Sequence, residues 1–205
     1  MKRLEDMTLQ ELWELFPIVL APHSNHWKEW ASEEMDALKA CLGRRLVHIH
    51  HIGSTAIEGI WAKPIIDLLA EVDVWSSLPK IKAQLMEGGY LCMSESNDRI
   101  CFNKGYTPDG FAEKVFHLHL RCLGDNDEIY FRDYLNAHPE VAKEYEKLKL
   151  SLWKRFEHDR DGYTEAKADF VKHYTHLAQS SIDHPDRSPF FTTATRHEEG
   201  NRVQG

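Results

Sequence analysis

Residues 51–72 read HIGSTAIEGIWAKPIIDLLAEV. A Gly-Ser turn is followed, after a short segment, by an apolar run that Asp67 interrupts. The run has the aliphatic, β-branched make-up of a strand, and Pro64 stands at its start, where a missing N–H does least harm. Taking an unpaired carboxylate out of water is expensive, so Asp67 needs a reason to be there. Alternate residues of a strand share a face. Ile66, Leu68, Ala70 and Val72 make a wholly apolar set that should face the core. Ile65, Asp67, Leu69 and Glu71 point the other way, toward the Gly-Ser turn if the strands on either side of it are neighbours.

The segment just before this stretch, RLVHIHHI, reads as another strand. Beyond it, YLCMS, RICFNKG and KVFHLHLRC read as three more, the last two joined as a hairpin through YTPDGFAE. Residues 76–87 have the pattern of a helix that ends at Gly88-Gly89. Toward the start, Thr8 with Glu11 forms a capping box for a short helix stopped by Pro17, and Ile18–Leu20 suits a short edge strand. Trp27, Trp30, Met35, Leu38 and Leu42 are near helical spacing, so 26–42 reads as an amphipathic helix closed by Gly43. After Gly124 the period changes. DEIYFRDYLNAHPEVAKEYEKLKLSLWKRF is helical with a break near His138-Pro139, and a last helix is expected over 163–179. The fold class is therefore α+β: a mixed sheet with flanking helices and a helical C-terminal portion from about 125. One domain over 1–179 and a loosely ordered tail over 180–205 are expected.

The formal charge of −8 argues against a general nucleic-acid binder, which normally shows a basic face. No apolar stretch is long enough to span a membrane, and MKRLEDMTLQELWELF carries acids where a signal peptide would be apolar. Cys41, Cys92, Cys101 and Cys122 are scattered without a CxxC pair, which suggests reduced thiols and a cytoplasmic protein.

Three features carry candidate chemistry. Gly53 and Ser54 sit on a turn whose free N–H groups suit a phosphate, although a lone Gly-Ser is as well read as an ordinary tight turn. Asp67 is the acid on the strand that follows. FHLHL puts His117 and His119 on one face of a strand, suited to metal ligation or proton transfer; two half-exposed histidines in a chain with 13 of them is the plainer alternative. His51 is a third imidazole near the turn, with His48 and His50 read as solvated or structural. Lys63 stands where it can meet a phosphate, and Arg99 and Lys104 are weaker candidates for the same task. Arg132 and Asp133 read most simply as a salt-bridged pair at a helix start.

The segments HIGSTAIEGIWAKPIIDLLAEV, FHLHL, FRDYLNAHPEVAKEYEKLK and YTEAKADFV, in this order, resemble the GrpB family, an uncharacterised group assigned to the nucleotidyltransferase superfamily. The resemblance runs from about Ile18 to Leu177 and implies a nucleotidyltransferase-like core. In that superfamily a Gly-Ser turn binds triphosphate, two acids two residues apart hold divalent metals, and a third acid comes from a neighbouring strand. Gly53 and Ser54 match the turn, and Asp67 matches the first acid. The second acid's position holds Leu69. Glu71 lies roughly 13 Å along the strand from Asp67, too far to share an ion with it. His117 and His119 occupy what corresponds to the third-acid strand. One Asp with two or three His, counting His51, suits Mn²⁺, Zn²⁺ or Ni²⁺ better than Mg²⁺, which wants oxygen ligands. The expected function is metal-assisted transfer of a nucleotidyl or phosphoryl group to a small acceptor. The alternative is a non-catalytic module that binds a nucleotide or phosphorylated metabolite.

Overall fold

The computed structural model describes residues 2–73 and 78–183. Its centre is a five-stranded mixed sheet in the order β1-β2-β5-β4-β3. The strands are β1 (Leu46–Ile52), β2 (Ile66–Val72), β3 (Leu91–Glu95), β4 (Arg99–Thr107) and β5 (Gly110–Cys122). The helices are α1 (Leu9–Leu15), α2 (His26–Leu42), α3 (Leu78–Glu87), α4 (Asp127–Ala137), α5 (Pro139–Trp153) and α6 (Arg160–Asp183). This is the mixed α+β architecture expected from the sequence.

The parity read for β2 holds. Ile66, Leu68, Ala70 and Val72 enter the main core with Trp27, Leu38 and Leu42 of α2 and Ile81 and Leu85 of α3. β2 pairs antiparallel with β1 and parallel with β5, which sets Asp67 directly beside His117. A second apolar cluster ties Ile57 and Ile60, just after the Gly-Ser turn, to Phe131, Leu135, Val141 and Tyr145 of α4 and α5. The helical C-terminal portion is thereby fixed against the turn, and Asn136 adds a clamp by bonding Glu58 N and Ala56 O, each at 3.0 Å.

Several boundaries differ from the sequence reading. Ile18–Leu20 is not a strand. A single bridge joins Ala21 to Ala62, while Ile18 donates to Glu157 O at 2.8 Å and packs with Tyr163, so burial against the α5–α6 side takes the place of strand pairing. The expected 106–113 loop is mostly strand, with Thr107 paired to Gly110 around Pro108-Asp109. Gly105 makes the bulge that permits this: its φ is +89° and a Cβ there would lie 2.3 Å from Lys114 O. The last helix starts at Arg160 and runs to Asp183, past the expected end at 179. Residues 76 and 77 of the expected 76–87 helix, and the tail beyond 183, lie outside the described residues. Among the described residues no helix is long and apolar enough to cross a membrane.

Candidate functional site

Asp67, His117 and His119 converge. Asp67 Oδ1 lies 3.2 Å from His117 Nδ1 and 3.7 Å from His119 Nε2. The outer ring nitrogens are held too. His117 Nε2 is 2.8 Å from the Tyr106 hydroxyl, which accepts from Arg160 at 2.9 Å. His119 Nδ1 faces Cys101 Sγ at 3.7 Å and the Arg121 guanidinium at 3.3 Å. Burial by itself would raise the Asp67 pKa, but hydrogen bonds from both histidines outweigh it and hold the carboxyl well below the usual carboxylate range. Burial pulls His117 down and Asp67 only partly offsets it. For His119 burial is overcome by bonding to Asp67 and Cys101, which lifts it to about 9, while that same His119 contact lowers Cys101 to about 6. The two imidazoles beside one carboxylate are thus shifted in opposite directions.

The Gly-Ser turn closes on the same carboxylate. Gly53 has φ +70°, and a Cβ there would meet Asp67 Oδ2 at 2.3 Å, so only glycine lets the backbone approach so closely. Gly53, Ser54, Lys63, Asp67, His117 and His119 all line one cavity of about 1240 Å³. Its wall also carries Lys149 of α5 and Arg160 and Lys167 of α6. Lys63 and Lys167 lie over the Tyr163 ring at 5.5 and 4.5 Å, and Lys149, only 2% exposed, is held by Trp61 O. Burial, then repulsion from Lys167 and Arg160, lowers Lys63 to about 7. Burial, then repulsion chiefly from Lys167, lowers Lys149 to about 7 as well. Cations that push one another's charge off in a cavity wall make a place for an anion.

Other sequence candidates go elsewhere. His51 does not join Asp67: it pairs with Leu68, a core-facing residue, and its Nε2 bonds Thr55 Oγ1 at 2.9 Å, buttressing the turn from behind. Arg99 forms a bidentate pair with Asp125 at 2.8 and 2.7 Å, and Lys104 bonds Glu34 at 2.7 Å, so neither faces the cavity. Glu71 is buried and accepts from Gly124 N at 2.8 Å and Asn126 at 3.1 Å, a structural role that leaves the second acid without a replacement. Arg132 bonds Asp133 at 2.7 Å, as read, and also donates to His51 O at 2.8 Å. Tyr106, Cys101, Lys149, Arg160 and Lys167 were missed. Arg160, Tyr163 and Lys167, spaced i, i+3, i+7 on one face of α6, carried a legible signal.

The donor set of one carboxylate and two imidazoles fits a single transition ion in its chemistry. Among the described residues no three His, Cys, Asp or Glu side chains are arranged to hold an ion in the present conformation.

Fold and pocket together define an α+β protein with a mixed five-stranded sheet and a cavity in which basic side chains stand near an Asp-His-His cluster. The GrpB protein family matches residues 17–177, and the chain belongs to that family. It is 39% identical over 160 residues to the glutamate-rich protein GrpB of Alkalihalophilus pseudofirmus, covering 75% of this chain and 91% of that one. It is 32% identical to UPF0157 protein YqkA of Bacillus subtilis, covering 80% of this chain but only 49% of the relative. The crystal structure of GrpB from Enterococcus faecalis matches with a TM-score of 0.71 at 27% identity, over 80% of this chain and 99% of that one.

Proposed function

We propose that this protein binds a nucleotide or other phosphorylated small molecule in the cavity above Asp67. The observation that carries this is the cluster of Lys63, Lys149, Arg160 and Lys167 on one side of the cavity, close enough to repel one another. Lys63 and Lys149 are driven to about 7 by burial and by neighbouring positive charge, a strain that an anion relieves. The phosphate accepts from the Gly53–Ser54 turn and from Lys63, and Arg160 and Lys167 neutralise its remaining charge. Asp67, His117 and His119 are the residues that would hold a divalent ion. Such an ion would supply Lewis-acid polarisation of a phosphoryl oxygen.

The second reading is group transfer to a small acceptor. The opposite shifts of His117 and His119 favour it, because two imidazoles of unlike basicity beside one carboxylate suit proton transfer. Leu69 in the second acid's place and the structural engagement of Glu71 weigh against the two-metal form of that chemistry. Calorimetric and thermal-shift titration with ATP, ADP and inorganic triphosphate tests the main reading. Lys63→Ala and the pair Arg160→Ala/Lys167→Ala should each weaken binding by about tenfold or more, the loss expected when a charge-assisted hydrogen bond is removed. Absence of binding by every probe at millimolar concentration would overturn it.

A further inference from the structure

The cavity is larger than a phosphate needs. At about 1240 Å³ it exceeds the roughly 300–1,000 Å³ usual for small-molecule sites. Its second wall comes from the N-terminal segment and, apart from Arg3 and Glu5, is apolar. Leu9, Leu12, Trp13 and Phe16 recur at i, i+3, i+4, i+7, the stripe with which an amphipathic helix meets a core, yet here the stripe lines the cavity. Leu9 is 58% exposed and Trp13 is half-buried, so this face is not used up in packing. Met86, Leu91 and Met93 line the same cavity, with exposures of 50, 43 and 56%.

The wall is held firmly. Thr8 and Glu11 close a reciprocal capping box at the start of α1. His158 bonds Trp13 O at 3.3 Å, and Phe16 is buried against Tyr106 and Phe111, with ring centroids 4.7 and 5.0 Å away. Tyr106 joins the two walls, since its hydroxyl bonds both His117 and Arg160. An apolar, partly aromatic wall that meets a cationic wall at one tyrosine is complementary to a molecule with a flat ring at one end and phosphate at the other. The family match begins only at residue 17, so α1 lies outside it.

We propose that α1 forms an aromatic-ring subsite centred on Trp13, and that the ligand is a phosphate ester carrying a nucleobase-like ring that packs there. This rests on the anion-binding reading above and adds to it the ring-bearing class of ligand. The test compares inorganic triphosphate with ATP and UTP on the full chain by calorimetry, for wild type, Trp13→Ala and Trp13→Phe. The nucleotides should bind about tenfold tighter than triphosphate, as one ring stacked on an aromatic side chain warrants. Trp13→Ala should bring nucleotide affinity down to that of triphosphate and leave triphosphate unchanged. Trp13→Phe should restore most of the difference, which a variant that merely disturbed α1 would not show. Triphosphate binding with no nucleotide advantage, or an advantage that survives Trp13→Ala, overturns the subsite and leaves the anion reading standing. If no probe binds, both fall.

Discussion

Gly53→Ala gives the sharpest test of the site's construction. The residue has φ +70° and ψ −171°, a region essentially restricted to glycine, and holding alanine there costs about 1–3 kcal/mol. The new Cβ would also lie 2.3 Å from Asp67 Oδ2 and 2.9 Å from Asp67 Cβ and Cγ, so the carboxylate must turn away. Turning it loosens its hydrogen bonds to His117 and His119, and bonds to charged groups are worth about 1.5–3 kcal/mol. The combined loss is about 2.5–6 kcal/mol, a large share of the roughly 5–15 kcal/mol that holds a domain together. Urea unfolding measures this loss. Titration of His119 by NMR supplies a second readout: its pKa should fall from about 9 toward the ordinary value near 6.5. A double-mutant cycle separates the two causes. In an Asp67→Ala background the Oδ2 and Cγ contacts are gone and only the 2.9 Å contact with the Cβ of residue 67 remains, so Gly53→Ala should cost less, close to its backbone part of about 1–3 kcal/mol. A Gly53→Ala protein that loses under about 1 kcal/mol and keeps its His119 titration would refute the close-approach argument.

Stability should depend on pH in a way that separates the lysines from the histidine. Lys63 and Lys149 are at about 7 when folded against about 10.4 unfolded, so the native state binds fewer protons across that window and these groups make stability rise with pH. His119, at about 9 against about 6.5, contributes stability that is complete below 6.5 and lost as pH rises through 9. The stability of Lys63→Met/Lys149→Met against unfolding should therefore fall from pH 6.5 to 9, where that of the wild type holds or rises; parallel profiles would contradict the depressed lysines. Triphosphate affinity should fall between pH 6.5 and 9 as the lysines and His119 lose charge, and a flat calorimetric profile would remove them from the anion site. Zn²⁺ or Mn²⁺ affinity should move the opposite way, strengthening as His119 loses its proton, and should be lost in Asp67→Asn and in His117→Ala/His119→Ala. Equal binding by all three proteins would place the ion elsewhere. Tyr106→Phe removes bonds to His117 and Arg160 and should cost about 1–2 kcal/mol in urea unfolding, with no loss expected if the hydroxyl is idle.

Much of this protein is legible in one dimension because its deciding patterns are local. The period-two alternation of β2 determined which face of Asp67's strand is core, and the His-x-His spacing of β5 put two imidazoles on one side. The capping box at Thr8 and the stop at Gly43 are likewise local chemistry, and both are found. Tertiary structure decided what depends on strand order and helix docking. The parallel pairing of β2 with β5 is what turns Asp67 and His117 into neighbours, and the antiparallel pairing of β1 puts His51 behind the turn and out of the cluster. His119 takes its high pKa from Cys101 on β4 and Asp67 on β2, two residues far apart in sequence. The basic cluster is built by Lys63 before β2, which the sequence already marked as a phosphate candidate, by Lys149 on α5, and by Arg160 and Lys167 on α6. Only when the helical C-terminal portion packs onto the turn do these charges come together, and that burial is what gathers scattered lysines into the anion site we propose.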